Sequence, residues 1–297
     1  MNKIAQRFLI FILGVPAIVA LVLLLPHHNH LAFNIAIVIF SAVGAVEFSA
    51  MMAQRNLKIR KAEAAALGAL LPAAMAAVAV VVSDGPSDGL YGLHFFVLLG
   101  IAMPVAMTAG AGWLLLSRVF SSGEKLDGFA GKVAAGLSAL LYPGVFMAWL
   151  VGMTVFPDSG VAIITFLLMV FGGDSLAWAT GMLFGKRNRG VVPASPNKSV
   201  AGFVGGALGP VIVAVGAVFI LPDVFVSDIP IVAAVVMGLL TGVAAILGDL
   251  AESALKRSSS VKDSGSFIMG RGGVLDSIDS VALAAPVFYI CFSLFFV

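Results

Sequence analysis

The sequence predicts an all-α, polytopic integral membrane protein with about nine transmembrane helices and a cytoplasmic N-terminus. Three observations carry that expectation. Hydrophobic residues make up 61% of the 297 positions and charged residues only 11%, whereas soluble domains average about 25% charged. Apolar runs close to the ~20 residues that cross a hydrocarbon layer recur from one end of the chain to the other. The basic residues, finally, gather in alternate connections between those runs.

The runs, broken by Pro, Gly and charge, fall at about 8–26, 31–53, 64–83, 93–116, 133–155, 160–184, 201–221, 229–253 and 275–296. The first follows Lys3 and Arg7 and closes at Pro26; because later runs continue to the C-terminus, it reads as a span and not as a cleaved signal peptide. The second and third flank the basic group Arg55, Lys58, Arg60 and Lys61. The fourth and fifth flank Arg118, Lys125 and Lys132. The sixth ends at Lys186, Arg187 and Arg189, and the seventh begins beyond Lys198. The eighth and ninth enclose Lys256, Arg257, Lys262 and Arg271. These groups account for all 17 Lys and Arg, while the opposite connections hold Asp84, Asp88, Asp158, Asp223, Asp228 and the cluster His27, His28 and His30. Enrichment of cytoplasmic loops in Lys and Arg then places the N-terminus inside. Two regions are expected: residues 1–160, with five spans, and residues 161–297, with four spans and two polar cytoplasmic loops.

Several function classes are disfavoured. The basic residues are spread over short loops, so nucleic acid is not a predicted partner. The single cysteine, Cys291, lies in the last apolar run and can form neither an internal disulfide nor a thiolate metal site. No internal repeat of the kind that builds many transporters is visible, and neither a Walker pattern nor a Rossmann fingerprint occurs.

The chemistry concentrates on acids within or at the ends of spans: Glu47, Asp174, Asp249, Glu252, Asp276 and Asp279. A carboxylate at the bilayer centre costs on the order of 2.5–3.5 kcal/mol, so such groups face a cavity or a partner. Asp249, Glu252, Ser253 and Lys256 share one helical stripe at the end of span eight, and Asp276, Asp279 and Ser280 do the same at the start of span nine. Two such helices joined by a short loop would form a cage for a hard divalent cation such as Mg2+. Lys256, Arg257, Lys262 and Arg271 flank it, and Gly272 and Gly273 would let backbone amides approach an anion. The alternative is that the acids pair with these bases and lock the loop.

A second constellation joins Asp174 in span six to a loop bearing Lys186, Arg187, Arg189, Ser195, Lys198 and Ser199. Its bases and hydroxyls suit a phosphate, or a plain cytoplasmic anchor. Gly181 and Gly185 suggest close helix packing. Glu47 has no partner nearby in sequence, and either a bond to another helix or a catalytic role would explain it. The histidines read as an interfacial turn or an outer metal site, and Trp113 and Trp178 as belt and packing.

The stretch GDLAESALKRSSSVKDSGSFIMGRGGVLDSIDS resembles the signature of the phosphatidate cytidylyltransferases, or CDP-diacylglycerol synthases. That signature runs Gly-Asp-x-x-Glu-Ser-x-x-Lys-Arg, then Lys-Asp, then His-Gly-Gly-x-x-Asp-Arg-x-Asp-Ser. Gly248, Asp249, Glu252, Ser253, Lys256, Arg257, Lys262, Asp263, Gly272, Gly273, Asp276, Asp279 and Ser280 match it in register. The earlier loop is similar to the family's Ser-Pro-x-Lys-Thr-x-Glu-Gly at Ser195, Pro196 and Lys198, and the likeness spans about residues 170–282. Three positions depart: Arg271 replaces a histidine, Ser277 an arginine and Ala201 a glutamate, while Ser199 in place of threonine keeps a hydroxyl.

The resemblance implies transfer of a cytidylyl group from CTP to phosphatidic acid with Mg2+, at the cytoplasmic face of a bacterial inner membrane, with membrane lipid as partner and a homodimer as the assembly. It implies Asp249 and Asp276 as leading metal ligands and catalytic residues, with Glu252, Asp279 and Asp174 supporting them. Lys198, Lys256, Arg257, Lys262 and Arg271 would contact nucleotide or lipid phosphate, with Ser195 and Ser253 as hydroxyl donors. The rival readings are a cation-coupled transporter, and a family member with an altered lipid substrate or lost activity.

Overall fold

The structure, a computed structural model, describes residues 3–83, 98–119, 128–268 and 272–297. Nine helical segments follow one another among the described residues: α1 (Lys3–Leu23), α2 (His27–Ala53), α3 (Lys61–Ser83), α4 (Met103–Val119), α5 (Phe129–Val155), α6 (Ser159–Phe184), α7 (Val200–Ile220), α8 (Pro230–Ser258) and α9 (Leu275–Phe295). Eight of the nine, α2 to α9, are long and apolar enough to cross a membrane, and α1 is apolar over Ile12–Leu23. No strand accompanies them among the described residues beyond the isolated bridges Arg189–Ser199 and Ile268–Gly272. The chain is an all-α integral membrane protein, and the helices coincide with the apolar runs to within a few residues. α8 continues past its run to Ser258 and carries Lys256 and Arg257 in its last turn, where cations complement the negative end of the helix dipole; the start of the fourth run, up to residue 97, lies outside the described residues.

Two compact units divide the chain, one comprising Met1–Val155 with Ser259–Ser277, the other Phe156–Ser258 with Ile278–Val297. The connection after α8 thus belongs with the N-terminal helices.

In the first unit α2 packs on α3, and they meet where Gly68 has no side chain: a Cβ there would strike Ala45 Cβ and the Ser41 carbonyl. α5 contains a π-helical stretch, Leu140–Val145, around Pro143. Proline removes one donor and disturbs the helical ladder. The buried Ser41 hydroxyl donates to the Pro143 carbonyl, with the Gly68 carbonyl also within reach at 2.7 Å. At the start of α2, His28, Asn29 and His30 have φ of 51°, 50° and 57°, a left-handed turn that costs roughly 1–2 kcal/mol per residue. Asn29 Nδ2 donates to the Ala79 carbonyl at 2.7 Å and Asn34 Nδ2 to the Asn29 carbonyl at 2.8 Å, which holds that turn in place.

In the second unit α7 lies between α6 and α8. Apolar association gains little in lipid, so close packing at small residues carries the contact. A Cβ on Gly209 would come within 2.8 Å of Gly173 Cα, and one on Gly238 within 2.6 Å of Val211 Cα. The opposite stripe of α8 exposes Val232, Val235, Leu239, Val243 and Leu247, the spacing of a lipid-facing surface. The lower part of α9 is anchored by rings, Phe156 stacking on Tyr289 and Phe166 and Phe292 packing on Phe288.

The backbone contact at Gly209 cannot yield as a flexible side chain would. Gly209→Ala is expected to destabilise the protein by about 1–3 kcal/mol, read as a lower unfolding midpoint in detergent. Gly216→Ala, where a Cβ meets nothing within 4 Å, is expected to leave the midpoint unchanged or slightly raised.

Candidate active site

The polar residues of the second unit are positioned by the loop between α6 and α7. Ser199 stands just before the apolar run of α7, in the extended conformation of an N-cap, and its Oγ accepts the Gly202 N–H at 3.0 Å. Gly181 and Gly185 make room for it, since a Cβ on either would crowd the Ser199 hydroxyl. The loop is folded on itself: Val200 N–H donates to the Asn188 carbonyl at 3.0 Å, Ser195 N–H to Val192 at 3.1 Å and Lys198 N–H to Ser195 at 3.1 Å. Ser195 therefore builds the turn that aims Lys198.

From that turn Lys198 Nζ donates to Asp249 Oδ2 on α8, a salt bridge between groups 51 residues apart in sequence. Ser253, one helical turn beyond, donates from Oγ to Asp249 Oδ1 at 3.5 Å. The two paired side chains remain 27% and 31% exposed, so ligands can reach them. Glu252, in contrast, is fully buried and pairs with Lys256 one turn along α8. On α9 Asp279 accepts the Ser280 N–H at 2.6 Å, and the charges of Asp249, Asp174 and Lys256 bear on it. Asp174 is exposed on α6, and Arg257 is exposed at the end of α8. Asp174, Asp249 and Asp279, drawn from three helices, thus share one electrostatic neighbourhood with Lys198 and Lys256.

Asp276 lies in the first unit, in a different network. Its Oδ2 accepts the Gly273 N–H at 2.7 Å, the Ser264 N–H at 2.9 Å and contacts Ser264 Oγ at 2.9 Å. The Gly273 amide, expected to approach an anion, meets this carboxylate. Gly272 has a φ of +116°, and a Cβ there would run into Asp276 Oδ2. Lys262 is exposed on the same loop, and Arg271 lies outside the described residues.

Glu47 stands out in the sequence as an intramembrane acid that needs a partner on another helix or a catalytic role, whereas Ser264 escaped sequence reasoning. Glu47, buried on α2, accepts the Leu275 N–H at 2.9 Å through Oε2, which also stands 3.2 Å from Ser264 Oγ. These partners are 228 and 217 residues away in sequence. The available signal was the cost of an intramembrane carboxylate, which demanded a partner without naming it. Nothing in the sequence distinguished Ser264 from the serines around it.

Among the described residues no three His, Cys, Asp or Glu side chains converge closely enough to enclose a metal ion. The donors are of the all-oxygen kind that hard divalent cations take: Asp249 and Asp174 act on Asp279, and Asp249 is still accessible.

A family model described as the cytidylyltransferase family matches residues 5–295. The chain belongs to that family. It is 37% identical over 134 residues to a phosphatidate cytidylyltransferase of Haemophilus influenzae, covering 44% of this chain and 46% of the relative. A phosphatidate cytidylyltransferase of Thermotoga maritima is 37% identical over 170 residues, 54% of this chain and 60% of the relative. The uncharacterized protein YnbB of Escherichia coli is 31% identical over 210 residues, 67% of this chain and 65% of the relative. The aligned stretches thus span about half to two thirds of the length of these relatives.

The Ser199 hydroxyl is engaged in capping. Ser199→Ala is expected to cost about 1 kcal/mol of stability, seen as a lower unfolding midpoint in detergent, with any nucleotide affinity changed less than about twofold when measured on the folded fraction.

Proposed function

We propose that this chain transfers the cytidylyl group of CTP to phosphatidic acid, releasing pyrophosphate and forming CDP-diacylglycerol within the membrane. The observation that carries the reading is the partly exposed Lys198–Asp249 pair beside Asp279, at motif positions that match the phosphatidate cytidylyltransferases. Relatives of that name from several bacteria support it. We place the protein in the inner membrane with these groups on the cytoplasmic side, because every Lys and Arg falls in connections of one sidedness.

The nucleophile is a phosphate-monoester oxygen of the lipid, already anionic, so no side chain has to remove its proton. It attacks the α-phosphorus of CTP; a new P–O bond forms as the bond to the β-phosphate breaks, and the electron pair leaves with pyrophosphate. The obstacle is electrostatic, because two polyanions must meet while charge accumulates on the leaving group. Lys198, carried on a hydrogen-bonded turn, exchanges part of its contact with Asp249 for a substrate phosphate. Arg257 and Lys262, exposed near the helix end and on the following loop, attract the anionic head group. Asp249 and Asp279 would hold Mg2+, and the motif gives Asp276 the same role. An ion held by these residues would supply positive charge to offset that of the leaving pyrophosphate. Ser253 orients Asp249 through its Oδ1.

Purified protein in detergent, given labelled CTP, phosphatidic acid and Mg2+, is expected to move label into lipid. Asp249→Asn and Asp276→Asn are expected to lower the rate at least about a hundredfold, and chelation of Mg2+ to abolish it reversibly. A folded wild-type protein that leaves the lipid unlabelled under these conditions sinks the proposal.

A further inference from the structure

We propose that Glu47 is a positioning residue for the proposed transfer: from α2 it fixes the first turn of α9, and with it the direction in which Asp276 projects. This rests on the cytidylyltransferase reading of Asp276, but its structural half stands on separate observations.

The first N–H groups of a helix have no partner within it. At α9 the Leu275 N–H finds Glu47 Oε2 at 2.9 Å, and the positive end of the helix dipole favours the carboxylate there. Leu275 directly precedes Asp276, so the atom that Glu47 holds lies in the peptide unit next to the Asp276 backbone. A second connection runs through Ser264. Its Oγ is 3.2 Å from Glu47 Oε2 and 2.9 Å from Asp276 Oδ2, and it accepts the Asp276 N–H at 3.3 Å. One hydroxyl proton serves two carboxylates, which links the carboxyl group on α2 to the one on α9.

The surrounding sequence is shaped to admit Glu47. A Cβ on Gly265 would collide with its Oε1, and one on Gly273 with both its Oε2 and Ser264 Oγ. Two glycines of a polar loop therefore leave space for a side chain more than two hundred residues earlier. A carboxylate retained only to satisfy the fold needs donors of any kind. This one takes its donors from Leu275 and Ser264, one adjoining Asp276 in sequence and the other bonded to it.

The test uses the full chain in detergent and two readouts. Amide hydrogen exchange over residues 264–277 is expected to accelerate at least about tenfold in Glu47→Ala, with the exchange of α6 to α8 unchanged. The kcat for cytidylyl transfer is expected to fall about 10–100-fold while KM for CTP stays within about twofold of wild type. Glu47→Gln, which keeps an acceptor for Leu275, is expected to restore most of the protection and part of kcat. Unchanged exchange at 264–277, acceleration spread evenly over all helices, or a wild-type kcat in Glu47→Ala overturns the inference. Where Glu47→Ala does not fold, Ser264→Ala decides: protection and kcat both at wild-type values overturn it, and loss of both supports it. A wild-type protein without transfer activity removes the proposed function instead, and the exchange data then judge the positioning alone.

Discussion

A carboxylate carried into a low-dielectric layer has to be met by donors, and in this protein the donors come from other helices and loops. Glu252 is fully buried and takes Lys256 from its own helix. Glu47 reaches the start of α9, and Asp249 receives Lys198 from the loop before α7. Leaving such a group unpartnered costs several kcal/mol, far more than a surface ion pair returns. The acids therefore fix which backbone segments lie beside which helices, and they separate into two kinds. Glu47 and Glu252 are buried and each has a partner, which suits a structural or positioning role. Asp249 keeps about a third of its side chain open, which suits exchange of partners during a reaction.

This arrangement requires backbones that approach closely. In the second unit the crossings of α6, α7 and α8 are made at Gly173, Gly209 and Gly238, where backbone meets backbone. Gly181 and Gly185 extend the same contact to Ser199, the cap from which α7 starts and the residue next to Lys198. The small-residue packing that substitutes for a hydrophobic driving force in lipid thus also sets the origin of the lysine that meets Asp249.

The spans were legible in the sequence because length and apolarity suffice to define them, and the alternation of basic loops ties their number together. Close packing at Gly181 and Gly185 was legible too, from spacing alone. Ser199 stands immediately before an apolar run, the position of a helix cap, and it does cap α7. The left-handed turn at His28–His30 was not legible, because its support comes from Ala79 on another helix. The hydroxyl from α2 that meets the π-helical stretch at Pro143 was likewise not legible, since Ser41 lies 102 residues earlier. Glu47 marks the boundary most clearly. The energetic need for a partner follows from one residue, whereas the identity of that partner depends on the fold of more than two hundred residues.

The glycines around Asp276 connect the motif to this physics. A Gly-Gly pair before an acidic helix start invites the reading of an anion-binding loop, and the Gly273 amide does bind an anion, the carboxylate of Asp276. That bond, with those from Ser264, engages Oδ2. A carboxylate whose one oxygen is held by fixed donors presents the other in a defined direction, and a cation bound to it then meets a preorganised ligand in place of a rotating one. Gly272 is required by its positive φ, and Gly273 by the space that Ser264 and Glu47 occupy. A side chain at Gly273 would displace Ser264 and Glu47 first and the acid second, whereas one at Gly272 would meet the Asp276 carboxylate itself. The support of Asp276 therefore accounts for a glycine at both positions.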